Sequence, residues 1–368
     1  MDEPIRIAQI MGKLWAGGVE MVVFNYYRAI DKKKVQFDFY YDADSTVDPP
    51  DDIVKMGAKF IKIPPYQDLF NYLKVLEKHF IENKYIIVHS HINTLSVFPL
   101  FAAWKCNIPV RIAHNHSVPC GESFRRKSLK CFLSCFAKVF PTDYFACSEK
   151  AGKWLFGKKN FNDGRVLVIK NAVDFDRFRP NKKVIDSLKK SLDIEKKLVI
   201  GHVGRFTFAK NHKYLIDIFK KISEIRKDSV LLLVGDGEMN VQIHQWVEEN
   251  DLADKVIFVG KVTNPEYYYR LADVIVLPSI FEGLSLATIE SQIAGTPVVV
   301  STAIPKEAII SDGCLRLSLK EDKWVDSILE YAERKVILDD RSKAYDIRKA
   351  SKLLEEWYIR KAEEKNNA

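Results

Sequence analysis

The chain reads as an α/β protein of two doubly wound units, each a mostly parallel sheet covered by helices on both faces. Three observations carry this. Short apolar runs alternate with amphipathic stretches at helical spacing through the first half, a polar segment interrupts the pattern at 172–196, and the alternation restarts at Leu198. Parallel strands buried on both faces read as continuous apolar runs, and each needs a long crossover to reach the next. At 368 residues and 47% hydrophobic content, the chain can bury two separate cores.

The elements follow in order. IRIAQIM is a buried strand, and GGVEMVVFNYYRAI after it carries apolar positions at helical spacing. VQFDFYY, KFIKI, YIIVHSH, VRIAHNH, TDYFACS and VLVIKN read as further strands, separated by helix-like stretches such as LFNYLKVLEKHFIE and TLSVFPLFAAWKC. The charged segment 172–196 is the expected linker. Beyond it LVIGHVG, SVLLLVG, KVIFVG, ADVIVLP and TPVVVS alternate with helical patterns, giving a second Rossmann-like unit. The expected division is 1–180, 181–345 and a C-terminal helix over 346–368, whose apolar side is Leu353, Leu354, Trp357 and Tyr358.

Composition excludes several classes. No apolar run approaches the length of a membrane-spanning helix, and MDEPIRIAQIM lacks the features of a signal peptide, so a cytoplasmic protein is expected. The six cysteines are scattered without a CxxC, as in a reduced compartment, and Cys131 and Cys135 are expected to pack in a core. Net charge is +8, and between Lys105 and Lys138 seven Lys or Arg stand against one acid, Glu122. SFRRKSLKCFLSCFAKVF, with Arg125, Arg126 and Lys127, reads either as a solvated helix with one face in the core or as a surface resting on anionic lipid. No nucleic-acid module accompanies it, so no nucleic-acid partner is expected.

Ligands of open α/β sheets bind beyond the carboxyl ends of strands, so polar residues that follow apolar runs are the candidates. GRFTFAKNH places Gly204, Arg205 and Lys210 just after LVIGHV, with a helix opening at Asn211 and His212. A guanidinium fork, an ammonium and a helix N-terminus together suit a diphosphate. FEGLSLATIE supplies Glu282 in a loop and Glu290 in the following helix, two carboxylates suited to sugar or ribose hydroxyls. The amides of Gly283, Leu284 and Ser285 lie between them. The plainer readings are loop cations and surface glutamates. Two His-x-His pairs, His89 with His91 and His114 with His116, find no further ligands to complete a set, and DAD at Asp42 to Asp44 is too short a pattern to carry weight, so no metal is expected.

The series GRFTFAKNH, VGDGE, LPSIFEGLSLATIE and AGTPVVVS resembles the retaining glycosyltransferases of family 4, which have the GT-B fold, and the resemblance covers nearly the whole chain. It implies two Rossmann-like domains facing across a cleft, the N-terminal one on the acceptor side and the C-terminal one holding a nucleotide-sugar donor, with the C-terminal helix returning to the first. It assigns Glu282 to the donor sugar, Glu290 to the ribose, and Arg205 and Lys210 to the diphosphate. GGVE (Gly17, Gly18) would lie against the donor phosphates and the acceptor, although the same residues also suit a tight strand-to-helix turn. A histidine after the fifth strand would touch the donor sugar, His116 in preference to His114.

Carried over together, the catalytic group is Arg205, Lys210, Glu282 and His116. The donor-binding group is Gly17, Gly18, Gly204, Gly283, Leu284, Ser285 and Glu290. The implied reaction needs no cofactor and no metal, because the leaving phosphate takes the acceptor proton while cations and amides hold its charge. The implied partners are a UDP-sugar and a saccharide or lipid-linked saccharide acceptor, at the inner membrane surface. STAIPKEAIISDGCLRLSL departs from the family pattern: Glu307 and Gly313 are present but neighbouring glycines are missing. A non-catalytic partner subunit and a nucleotide-sugar epimerase are the competing readings. A dinucleotide oxidoreductase is disfavoured because no GxGxxG follows a strand.

Overall fold

The computed structural model describes residues 3–15, 17–117, 124–179 and 181–366, the side chains of 124–127 and 366 excepted. It divides into two compact units, Met1–Val173 with Ala344–Ala368, and Asp174–Lys343. The first unit holds seven strands: β1 (Ile5–Gly12), β2 (Val35–Asp42), β3 (Lys59–Ile63), β4 (Ile87–Ser90), β5 (Val110–Asn115), β6 (Asp143–Ala146) and β7 (Val166–Val168). They pair in parallel in the order β3-β2-β1-β4-β5-β6-β7. The second holds β8 (Leu198–Val203), β9 (Ser229–Val234), β10 (Val256–Gly260), β11 (Val274–Leu277), β12 (Val298–Ser301) and β13 (Cys314–Leu317), also parallel, in the order β10-β9-β8-β11-β12-β13.

Both sheets reverse their winding once, between β1 and β4 in the first and between β8 and β11 in the second. A crevice opens beyond the carboxyl ends of the strands where the order turns back, because the two flanking connections leave in opposite directions. The inner strands are buried on both faces, with β2, β9 and β11 buried at every residue, while the edge strand β3 is part exposed.

The C-terminal helix Ile347–Asn366 belongs to the first unit and packs against the helix Gly18–Ala29 and β2. Its inner face is Ser351, Leu354, Glu355, Tyr358 and Ala362; Leu353, expected inside, is 67% exposed. The i, i+3, i+4 spacing of the buried set leaves position 353 on the outer side of the turn. Glu355 accepts from the Asp31 amide at 2.7 Å, anchoring the helix to the end of the preceding one.

One other expectation is corrected, that for the two cysteines. The polar stretch 172–196 contains a ten-residue helix, Lys182–Ser191, capped by Asn181, whose side chain accepts from the Lys183 amide. Cys131 and Cys135 are exposed on the helix Phe124–Phe136 rather than packed. That helix buries Leu133, while Leu129, Phe132 and Phe136 face solvent, so its apolar content exceeds what the fold uses.

Candidate active site

In the second unit the loops after β8 and β11 meet at the point where the sheet reverses. Ile280 donates its amide to the Ala209 carbonyl at 2.8 Å, and the Asn211 side chain donates to the Pro278 carbonyl at 3.1 Å. These bonds hold Lys210 against Glu282, forming an ion pair in which both side chains are about 15% exposed. The Ser279 hydroxyl also donates to Glu282, at 3.3 Å. Arg205 is turned elsewhere: its guanidinium lies 3.6 Å from Glu238 and is 62% exposed. The two cations read as one diphosphate pair thus start from two different carboxylates.

The glycines explain how the loop after β8 comes so close. At Gly235 (φ +141°) a Cβ would stand 1.9 Å from the Gly204 carbonyl oxygen, and at Gly237 it would stand 2.4 Å from that of Phe206. Only glycine lets these two backbones cross. The crossing is tied by Phe206 N to Asp236 O at 3.0 Å and Met239 N to Phe206 O at 3.0 Å. A side chain at Gly204 would itself meet Lys210, whose Cε is 3.3 Å from the Cβ position, so that glycine leaves room for the ammonium.

Glu290 lies in the second turn of the helix Leu286–Ile293 and accepts from the Tyr269 hydroxyl at 2.8 Å. Burial pushes its carboxyl up from the usual range, opposed by the Tyr269 hydrogen bond and by Arg177. Ser285 caps the helix, its hydroxyl accepting from the Thr288 amide. Among the described residues, the amides of Gly283, Leu284 and Ser285 donate to no protein acceptor. They lie at the N-terminus of an eight-residue helix. Of the loop that departs from the family pattern, Gly313 is explained by packing: a Cβ there would be 2.5 Å from Val336 Cγ2.

In the first unit Glu20, at the third position of the helix Gly18–Ala29, accepts from the Trp15 and Gly17 amides, each at 2.6 Å. GGVE therefore forms the tight strand-to-helix turn. His89 and His91 on the β4 side meet His114 and His116 on the β5 side, and all four are buried. Neighbouring parallel strands place one His-x-His pair beside the other. Ring nitrogens of His89, His91 and His114 lie within 4.8 Å of one another.

Hydrogen bonds order the four rings. His91 Nε2 donates to Gln9 Oε1 at 2.8 Å, so its Nδ1 accepts from His116 Nε2 at 2.9 Å. The Tyr358 hydroxyl, accepting from Gln9 Nε2 at 3.4 Å, donates to His89 Nδ1 at 2.6 Å, and His89 Nε2 donates to His114 Nδ1 at 3.1 Å. Every ring is then neutral with its proton on Nε2. His114 Nε2 and His116 Nδ1 are buried without a protein partner. One chain ends in a proton and the other in a lone pair, so the two histidines left open by sequence offer opposite chemistry. Burial holds all four far below the usual imidazole range, His116 at about 3.

Sequence reasoning missed Glu238, Tyr269, Gln9 and Tyr358. Glu238 stood in VGDGE, but its partner is set by the backbone crossing; Tyr269, Gln9 and Tyr358 reach their partners from separate elements. In the basic stretch 105–138, Lys105 is paired with Glu77 at 2.8 Å and Arg111 is spent on the Phe140 and Ile108 carbonyls. The side chains of Arg125, Arg126 and Lys127 lie outside the described residues.

Comparison with known proteins decides the family. Residues 184–352 match the family "Glycosyl transferases group 1" and residues 16–177 match "Glycosyltransferase Family 4". The putative glycosyltransferase EpsF of Bacillus subtilis is 30% identical over 89% of this chain and 88% of its own length. The chain belongs to the family 4 glycosyltransferases. Another member, the UDP-Gal:alpha-D-GlcNAc-diphosphoundecaprenol alpha-1,3-galactosyltransferase of Escherichia coli, is 29% identical over 75% of this chain and 72% of its own. The capsular polysaccharide biosynthesis glycosyltransferase CapH of Staphylococcus aureus is 24% identical over 97% of this chain and 99% of its own. Anabaena HepE, solved in complex with UDP-glucose, superposes with a TM-score of 0.74 at 18% identity over 99% of this chain and 100% of its own. With two parallel-sheet α/β units and such neighbours, this glycosyltransferase has the GT-B fold. Among its described residues no helix is long and apolar enough to cross a membrane.

Proposed function

We propose that this glycosyltransferase moves a hexose from a UDP-sugar to a lipid-linked saccharide acceptor on the cytoplasmic face of a membrane, with retention of configuration and without a metal, in the assembly of a surface or capsular polysaccharide. The observation that carries the reading is the convergence after β8 and β11: Lys210 on Glu282, unbound amides at Gly283 to Ser285, and Glu290 one helix turn beyond. A diphosphate entering there meets an ammonium and free backbone donors, which supply the countercharge that a metal gives elsewhere. Glu290 offers a carboxylate to the ribose hydroxyls, with Tyr269 fixing its orientation. As Lys210 turns to the phosphates, Glu282 is freed to accept from sugar hydroxyls.

The choice of donor and acceptor rests on the relatives: one uses UDP-Gal on a diphosphoundecaprenol-linked sugar, and a structural neighbour was solved with UDP-glucose. Membrane contact rests on the outward Leu129, Phe132 and Phe136 of the helix Phe124–Phe136 in a basic stretch of the chain. The test is a binding and transfer panel of UDP- and GDP-sugars in EDTA, on wild type and Glu290→Ala. Selective binding of a UDP-sugar, weakened by the substitution and indifferent to EDTA, is expected. Binding abolished by EDTA, or a preference for GDP-sugars, refutes the corresponding part.

A further inference from the structure

Two buried histidines stand behind Lys210, and the donor contacts proposed above use neither. His202, on β8, donates through Nδ1 to the Val276 carbonyl of β11 at 2.8 Å. That bond fixes the tautomer, so Nε2 carries a lone pair. Burial holds the ring down at about 4, with the Lys210 charge adding to the effect, so Nε2 stays unprotonated at neutral pH. The atom is buried, and no donor rests on it among the described residues. One wall beside it is His212, the first residue of the helix His212–Ile225, whose ring stands edge-on with centroids 4.6 Å apart; Phe206 closes on His212 at 4.8 Å. Lys210 lies on another side. A Cβ built on Gly204 would be 3.7 Å from Lys210 Nζ and 3.8 Å from His202 Nε2. The ammonium and the unused lone pair therefore flank one point, and the missing side chain leaves nothing of Gly204 between them.

An ammonium has three N–H donors and no acceptor. Among the described residues, that of Lys210 is bonded to Glu282 alone, on a side chain only 16% exposed. A buried lone pair without a donor, next to an ammonium with donors to spare, leaves both groups short of the bonds that water would give them. The ion pair with Glu282 keeps them from meeting in this structure. We propose that His202 is a positioning residue for Lys210: when the ammonium leaves Glu282 for the diphosphate, it donates one N–H to His202 Nε2 and the others to phosphate oxygens. A neutral acceptor suits that place. It turns the ammonium without drawing it off the phosphate, as a second carboxylate would. His212 is the competing acceptor, since both of its ring nitrogens are buried without a partner, but it is His202 that Gly204 brings to the ammonium. The proposal rests on Lys210 meeting the diphosphate, but not on the sugar, the acceptor or the stereochemistry.

The experiment labels the histidine ring nitrogens of the full chain isotopically and follows them by NMR as UDP is added, the His202 signals being assigned by their absence in His202→Gln. In the free protein His202 Nε2 should resonate as an unprotonated nitrogen. Saturation with UDP should move it upfield, as a lone pair moves on accepting a hydrogen bond, with no proton gained. In Lys210→Met, saturated with UDP, the signal should stay in place. UDP affinity in calorimetry should fall about 3–10-fold in His202→Phe and hold within about twofold in His202→Gln, whose amide can both donate to Val276 and accept from Lys210. The nitrogen signals report the contact itself in the unaltered protein, which a purely structural role for His202 would leave unmoved. UDP bound with the His202 signal unmoved, the same movement in Lys210→Met, or the His212 nitrogens moving in its place overturns the positioning role and leaves the donor assignment standing. Failure of UDP to bind wild type overturns both.

Discussion

Acidification from pH 7 to pH 5 should unfold the first unit before the second, because of the four histidines between β4, β5 and the C-terminal helix. Their folded pKa values lie well below the ordinary 6.5, so the native state keeps them neutral while the unfolded chain takes up protons. The sign follows: stability is fully present above pH 6.5 and falls as pH drops through that value, continuing toward the folded pKa, about 3 for His116. At pH 5 each neutral-held histidine costs about 2 kcal/mol, from 1.36 kcal/mol per pH unit, so the four remove about 7–8 kcal/mol. Asp42, pushed up to about 6, works the other way and returns about 1 kcal/mol. The net loss of about 6 kcal/mol is comparable to the whole stability of a typical domain, ~5–15 kcal/mol.

The second unit buries only two such rings, His202 at about 4 and His212 at about 2, and should lose about half as much. Urea titrations at pH 7, 6 and 5, with hydrogen exchange read separately over the two units, measure both slopes. A slope close to three protons for the first unit is expected near pH 5.5, about 3.6 from the histidines less about 0.7 from Asp42. A slope near one or none would mean that the native rings are charged or reached by water, and the hydrogen-bond order deduced for them would fall.

Lys210→Met should destabilise the second unit by about 1–3 kcal/mol, because Glu282 loses its counter-ion, and adding Glu282→Gln should recover most of that; simple additivity in denaturant melts would refute the pairing. Gly235→Ala should cost more than about 3 kcal/mol or prevent folding, since the new Cβ meets the Gly204 carbonyl at 1.9 Å; a melt within about 1 kcal/mol of wild type would refute the crossing. Tyr269→Phe should weaken UDP affinity by about 3–10-fold in calorimetry by releasing the Glu290 carboxylate, and an unchanged affinity would remove Glu290 from the ribose site. Phe132→Ser with Phe136→Ser should reduce binding to vesicles containing anionic lipid while leaving UDP binding alone; unchanged sedimentation with vesicles would refute the membrane face.

The fold was largely legible because its signal is local. IRIAQIM, SVLLLVG and TPVVVS are apolar almost without interruption, and only a strand covered on both faces needs that. The positions of Lys210, Glu282 and Glu290 were legible for the same reason, each lying at a fixed offset from such a run. Pairings were not legible, because they depend on which loops the strand order brings together. Nothing in VGDGE shows that Glu238 takes Arg205, and nothing in His-x-His spacing shows that β4 and β5 lie in register. Burial within a helix was half legible: Leu354 and Tyr358 turn inward as their spacing requires, while Leu353, equally apolar, is outside.

The pairing that sequence could not show also changes what the site must do. A free ammonium poised for a phosphate would need no rearrangement, but Lys210 already holds Glu282, with Ser279 on the same carboxylate oxygen. Under the proposed function, taking a diphosphate would exchange one carboxylate partner for another anion, which would keep the cation compensated throughout and avoid leaving a charge unpaired in a site that is only about 15% exposed. In that reading the same exchange would release Glu282 only when a donor is present, so a carboxylate able to hold sugar hydroxyls would appear together with the sugar. Arg205 follows a looser version of the rule, being 62% exposed and 3.6 Å from Glu238, where solvent screens the pair. The energetic weight of the site thus falls on Lys210, and loss of its charge should reach both the phosphate and, through Glu282, the sugar.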